Sequence, residues 1–220
     1  MQKLFIFICF IFIANVSAQI DSLRIGDRYL EDQLYANITY NVLLDRPFGE
    51  ENRGFSYGLS AGYVRDIPFN KSGNFAMGIG VGYNYDVFTH SLQVVNTNEV
   101  TYNTGVTANK IYLHNIEFPI QFRWRTSDAV TYSFWRIYTG VRLSYNLRNS
   151  FSYELNDVKY EFKNINAYNN FQYGLELNAG YGAFNFFVYY GLQTMFKDVN
   201  IDGVHVNTKI TKFGISFFLL

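Results

Sequence analysis

Cysteine occurs once in 220 residues and proline only three times. The lone Cys9 lies inside an N-terminal apolar run and not just after a cleavage site, so neither a disulfide framework nor a lipoprotein anchor is supported. Charge of one sign is missing too: 18 basic residues face 18 acidic ones, which leaves no excess to attract nucleic acid. Beyond the N-terminal run, no stretch approaches the roughly 20 apolar residues that a membrane-crossing helix needs. His90, His114 and His205 lack metal-ligand spacing, and no motif places a Ser, His and Asp arrangement. Gly78, Gly80 and Gly82 imitate a phosphate loop, but they fall at every second residue of a strand pattern and no helix follows. Such glycines leave room on one face of a sheet. These absences describe a chain with no catalytic residue, no cofactor, no metal and no evident small-molecule substrate: a non-enzyme.

What is present is aromatic. Phe, Tyr and Trp make up 20% of the chain, more than a water-surrounded domain of this size has places for. At the N-terminus Lys3 is followed by an apolar run from Leu4 to Ile13 and by Val16, Ser17 and Ala18. This is the pattern of a cleaved signal peptide. Residues 1–18 are therefore expected to be the signal peptide, 19–33 an N-terminal periplasmic segment and 34–220 a single barrel domain.

The stretch from Asn115 to Arg148 reads as a hairpin with a period of two. Ile116, Phe118, Ile120, Phe122 and Trp124 share one face, and Glu117, Gln121, Arg123 and Arg125 the other, because successive side chains of a strand point to opposite sides. Its second strand sets Trp135, Ile137, Val141, Leu143, Tyr145 and Leu147 against Arg136, Arg142, Ser144, Asn146 and Arg148. The polar face of this hairpin holds arginine and glycine but no lysine. That combination fits the inside of a narrow closed barrel whose apolar face meets lipid.

Six further stretches alternate in the same way, beginning near Leu34, Phe55, Phe75, Phe171, Phe184 and Lys212. The count is eight, and a chain that crosses a membrane on strands must close them into a barrel to satisfy its backbone groups. The fold class is therefore all-β, an eight-stranded antiparallel transmembrane barrel. Connections alternate long and short, which places both termini and the short turns in the periplasm and the longer loops outside. The location implied is a bacterial outer membrane, with lipid as the first partner. Trp124 and Trp135 flank one short turn on the lipid face, as an interfacial girdle does.

Inside so narrow a barrel, side chains fill the space and charges must compensate one another. Pairing the hairpin around a turn near Ala129 sets Glu117 opposite Arg142 and Arg123 opposite Arg136. The next strand brings Glu176 near Arg142. Glu117, Arg123, Arg136, Arg142 and Glu176 are thus expected to form a structural charge network in the lumen.

The segments EDQLYANITYNVLL, GLSAGYVRDIPFNKSGNFAMGIGVGYNYD and IEFPIQFRWRTS, with FWRIYTGVRLSYN after them, resemble the PorT family of Bacteroidetes, called SprT in gliding species. The resemblance covers nearly all of the chain after the signal peptide. It implies an outer-membrane barrel associated with the type IX secretion system, which exports proteins bearing C-terminal sorting domains and, in gliding bacteria, motility adhesins. Other components of that system are then the expected protein partners. One departure is the ending Phe217-Phe218-Leu219-Leu220 in place of a lone terminal aromatic. A second reading stays open beside it, a small structural or permeability barrel that acts without secretion partners.

Overall fold

A computed structural model describes residues 32–45, 54–70, 72–90, 92–96, 99–102, 107–126, 135–197, 199–201 and 203–219. The signal peptide at 1–18, residues 19–31 of the next segment, and the turn around Ser127 and Ala129 lie outside the described residues. Eight long strands carry the fold: β1 (Gln33–Leu44), β2 (Tyr57–Pro68), β3 (Phe75–Thr89), β6 (Thr107–Arg125), β7 (Trp135–Leu155), β9 (Phe171–Tyr181), β10 (Phe184–Thr194) and β13 (Lys209–Leu219). Short strands β4 (Leu92–Asn96), β5 (Glu99–Tyr102), β8 (Val158–Lys163), β11 (Asn200–Ile201) and β12 (Val204–His205) belong to the connections.

Each long strand pairs antiparallel with its chain neighbours, and the ring closes where β1 meets β13. The alternation read from the sequence decides which side of each strand is inside. In β1, Tyr35, Asn37, Thr39 and Asn41 are buried while Leu34, Ile38 and Tyr40 are exposed. β9 and β10 repeat this with Gln172, Glu176, Asn178 and Asn185 inside and Phe171, Leu175, Leu177, Phe184 and Phe186 outside. The molecule is an all-β, closed, eight-stranded antiparallel barrel with a polar interior and an apolar outer wall.

Three details differ from expectation. The β6–β7 pairing sets Glu117 opposite Ser144, Arg142 opposite Pro119, Arg123 opposite Tyr138 and Arg125 opposite Arg136. The register is shifted by two residues from the expected one, which moves every contact along the strand but leaves every side chain on its face. Second, the hairpin strands are longer than their alternation indicates. β6 starts at Thr107, and β7 runs on to Leu155 and folds back into β8 through a two-residue turn in which Asn156 and Asp157 have φ of 52° and 61°, as a type I′ hairpin requires. Third, a bulge lies between Asn146 and Arg148, since Asn115 pairs with Asn146 but His114 with Arg148. One extra residue reverses the facing beyond it, so Arg148 is exposed and Asn149 is buried. Arg148 is not a lumen residue.

Two glycines show how the lumen is fitted. A Cβ on Gly78 would overlap the Arg123 guanidinium, and one on Gly82 would overlap the Tyr35 hydroxyl. Above the barrel, on the side of the long connections, Phe88, Ile111, Leu113, Phe151, Ile165, Met195 and Phe196 form an apolar core among the loops.

Candidate functional site

The interior is organised in three levels. At the end with the short turns, Asp66 of β2 meets two arginines of β6: Arg123 Nη1 at 3.2 Å and Arg125 Nη2 at 2.6 Å, with all three side chains fully buried. Arg123 also lies over the Tyr138 ring, 4.6 Å from its centroid, and Arg136 lies 5.7 Å from the Phe218 ring. Cation–π contact of this kind offsets part of the desolvation of a guanidinium. Arg125 and Arg136 make further contacts beyond these.

At mid-height Arg142 of β7 is held between two carboxylates. Its Nη1 donates to Glu117 of β6, and its Nη2 and Nε both reach Glu176 Oε2 of β9 at 2.5 Å. The Tyr35 hydroxyl donates to Glu117 Oε1 at 2.7 Å, and Gln121 Nε2 donates to Glu176 Oε1 at 2.7 Å. Gln121 Oε1 in turn accepts from Arg123 Nε at 3.0 Å, so one amide joins the lower level to the middle one. The result is a continuous path from Asp66 to Tyr35 that touches β1, β2, β6, β7 and β9.

Higher still, Lys212 Nζ of β13 lies 2.6 Å from Asp86 Oδ2 and donates to Asn84 Oδ1 at 3.2 Å. Asn41 Nδ2 donates to Asp86 Oδ1 at 2.8 Å. From Asn84 a relay of amides climbs out of the barrel: Asn115 Nδ2 to Asn84 Oδ1, 3.1 Å; Asn146 Nδ2 to Asn115 Oδ1, 2.7 Å; Asn149 Nδ2 to Asn146 Oδ1, 3.0 Å; and the Ile165 amide to Asn149 Oδ1, 2.7 Å. Between the middle and upper levels lies a cavity of about 20 Å³, bordered by Thr39, Glu117, Arg142, Tyr168 and Lys212. That is room for about one water, far less than a solute path.

The loops close the outer end. Tyr168 is buried over the cavity and bridges to Phe196. Backbone bonds from Asn169 to Met195, Lys197 to Ala167 and Met195 to Thr208 tie two long connections together. Burial, with the Asp86 carboxylate adding to it, pushes the Tyr168 phenol well above its ordinary value. Burial likewise pushes the His90 imidazole down to about 3; its ring stands edge-on to Phe151 at 6.1 Å. Among the described residues no three His, Cys, Asp or Glu side chains gather as a metal site.

The five charged residues picked from the sequence thus fall in two groups. Glu117 and Glu176 both contact Arg142, Arg123 is linked to Glu176 through Gln121, and Arg136 lies at the lower level beside the Phe218 ring. Asp66, Asp86 and Lys212 also form buried ion pairs and were not among them. Asp66 keeps the parity of Ser56, Gly58, Ser60 and Gly62 and so was findable, but it precedes a turn-like stretch that hides the last residues of β2. Trp135 is 61% exposed on the outer wall and packs edge-on to Tyr181 at 5.5 Å; Trp124, half-buried, pairs with Phe75 and Ile137. A second set of rings, Tyr40, Phe55, Tyr83, Tyr85 and His114, stands at the other end of the wall, Tyr85 and His114 being 4.9 Å apart. From Trp135 to Tyr145 a strand advances about 33 Å at ~3.3 Å per residue. At a tilt of ~40° this is about 25 Å along the barrel axis, the height of an outer-membrane apolar band.

A match to a known family agrees with this architecture. Residues 17–197 match the family described as outer membrane protein beta-barrel domain. Among solved structures, the attachment invasion locus protein Ail of Yersinia pestis aligns over 86% of this chain and 97% of its own, at 10% identity and a TM-score of 0.36. The same protein in complex with the heparin analogue sucrose octasulfate aligns at 9% identity and a TM-score of 0.41, again over 86% and 97%. A mutant of the Rh. blastica porin aligns over 87% of this chain and all of its own, at 10% identity and a TM-score of 0.23. No curated protein matches the chain.

Proposed function

The chain belongs to the outer membrane protein β-barrel domain family, and from that premise we propose that it is an accessory barrel of the type IX protein secretion machinery. In this role it supports export of proteins with C-terminal sorting domains and, in gliding species, of motility adhesins. It acts without catalysing a reaction. The observation that carries the reading is a lumen crossed by three levels of buried, paired side chains beneath loops that share an apolar core. A barrel that passes no solute acts through what it presents: its lipid-facing wall, its outer loops and its periplasmic turns. The resemblance of residues 31–44, 58–86, 116–127 and 134–146 to the PorT family supports assigning those contacts to the type IX system. The signal peptide read at 1–18 and the girdle role of Trp124 and Trp135 are part of the same proposal.

The test is deletion of the gene, scored for secreted cargo and repeated with a plasmid copy restored. Cargo bearing sorting domains is expected to be trapped inside the cell and released again on rescue. Normal export in the deletion strain would overturn the reading and favour a barrel that acts without secretion partners.

A further inference from the structure

Where β7 leaves the membrane its partner changes. β9 pairs with it as far as Tyr145 opposite Phe171, and β8 takes over from Ser150 opposite Lys163. The bulge at Leu147 falls in the gap between the two. Residues 164–170 span that gap, anchored by the Asn164 amide on Asn149 O at 2.9 Å and the Asn146 amide on Asn170 O at 2.8 Å. The fork encloses an open cleft of about 310 Å³, at the lower edge of the size range of small-ligand sites.

Its lining is unusual in composition: Asn146, Asn149, Asn164, Asn166 and Asn170, with the Tyr145 ring at one side and no charged residue. Asn146 and Asn149 are committed to the amide relay, which fixes the back wall. Asn164, Asn166 and Asn170 stand at the rim, while Ile165, Ala167 and Tyr168 of the same segment are buried in the cap. A primary amide offers two donors and an acceptor with two lone pairs, a set that matches neighbouring hydroxyl groups, each of which both donates and accepts. The absence of charge disfavours an anion or a metal cation, and the half-exposed Tyr145 ring offers an apolar face to C–H groups. Amides for hydroxyls and a ring for a C–H face together describe a saccharide site.

The height of the cleft narrows the source. Tyr145 belongs to the upper aromatic level, and Leu147, exposed on the outer wall, borders the cleft on the lipid side. A ligand held here has its hydroxyls among the asparagines and apolar surface beside it. We propose that the cleft binds neutral sugar residues within the headgroup of an outer-leaflet glycolipid.

The experiment compares hydrogen exchange of segment 164–170 in the intact barrel embedded in three environments: phosphatidylglycerol discs, discs containing rough-type lipopolysaccharide, and phosphatidylglycerol discs with the soluble, deacylated oligosaccharide added. Lipopolysaccharide is expected to slow exchange there by at least ~10-fold relative to phospholipid, and the soluble oligosaccharide to do so only weakly. Asn164→Gly combined with Asn170→Ala should abolish the difference. Asn164 has a φ of 55°, which glycine adopts freely, and Asn170 contributes its backbone carbonyl to the fold, so the pair of changes keeps the folded, heat-modifiable species. Equal protection by phospholipid, equal protection by the soluble oligosaccharide, or full protection in the folded double variant would each overturn the proposal.

Discussion

The membrane-embedded part of the barrel and the part above it are built from the same strands with opposite polarity. Along the inner face of β3, Asn84 and Asp86 give way to Phe88; along β6, Glu117 and Asn115 give way to Leu113 and Ile111; along β1, Asn41 gives way to Leu43; along β13, Lys212 gives way to Ile210. The change occurs at one level on four strands, where the amide relay lies. Below it lipid surrounds the wall, so the apolar side chains face out and the polar ones are enclosed. Above it water surrounds the strands, and the usual order returns, with Lys110, Arg148 and Glu154 outside. The surrounding solvent, and not the strand, sets which face is apolar.

Two energetic regimes follow, and breaking each separately sharpens the contrast. The largest effect is expected in the lumen. Arg142→Met strands two buried carboxylates, and removal of one partner of such a group costs about 3 to 5 kcal/mol. The folded fraction in a detergent–urea titration should fall accordingly. Adding Glu117→Gln should cost less than the sum of the single changes, whereas strict additivity would mean that the two do not share a network. In the cap, Phe151→Ala opens a cavity among buried rings at a cost of about 3 to 5 kcal/mol. Here the loss should be local: exchange protection in residues 164–170, 195–197 and 199–201 collapses while the heat-modifiable barrel persists.

The next effect compares one substitution in both regions. Leu177→Arg puts a charge near mid-height of the lipid face, at a cost of about 2 to 4 kcal/mol. Val158→Arg, on the exposed β8 hairpin above the membrane, should stay within about 0.5 kcal/mol of the unchanged protein. Folding yields into vesicles measure both, and equal harm would misplace the boundary.

The smallest effect is a pH dependence confined to the cap. The His90 imidazole is held down to about 3 by burial, against about 6.5 in an unfolded chain. The neutral form is the one that fits the fold, so this contribution is complete above pH 6.5 and lost as the pH falls toward 3. Between pH 6.5 and 5.5 the loss is about 1 kcal/mol. Protection factors of the loop amides, corrected for the intrinsic exchange rate at each pH, should fall over that interval, and His90→Gln should flatten the fall.

The facing of nearly every membrane-spanning residue was legible in the sequence because a period of two survives any slip of two. Register was less so. The sequence between Thr126 and Trp135 carries no signal that fixes the register, and the two strands it joins pair two residues away from the register expected around Ala129. Arg148 was misplaced because an extra residue in a bulge leaves alternation intact on both sides of it. The loop hairpins were missed because, outside the membrane, Ile111, Leu113 and Phe151 no longer sit opposite a lipid-facing partner set. In the lumen, Glu117, Arg142 and Glu176 stood out as charges on the polar faces of strands whose other face is apolar. Gln121 and the asparagines, which link the levels, are polar residues of a kind that most of the long strands carry.

The central claim is that this barrel works by what it presents and not by what it passes. Recording purified protein in planar bilayers tests it most directly. Three charge levels, a cavity for about one water and a folded cap predict no steady conductance; a large, stable open pore in the unmodified protein would contradict the account.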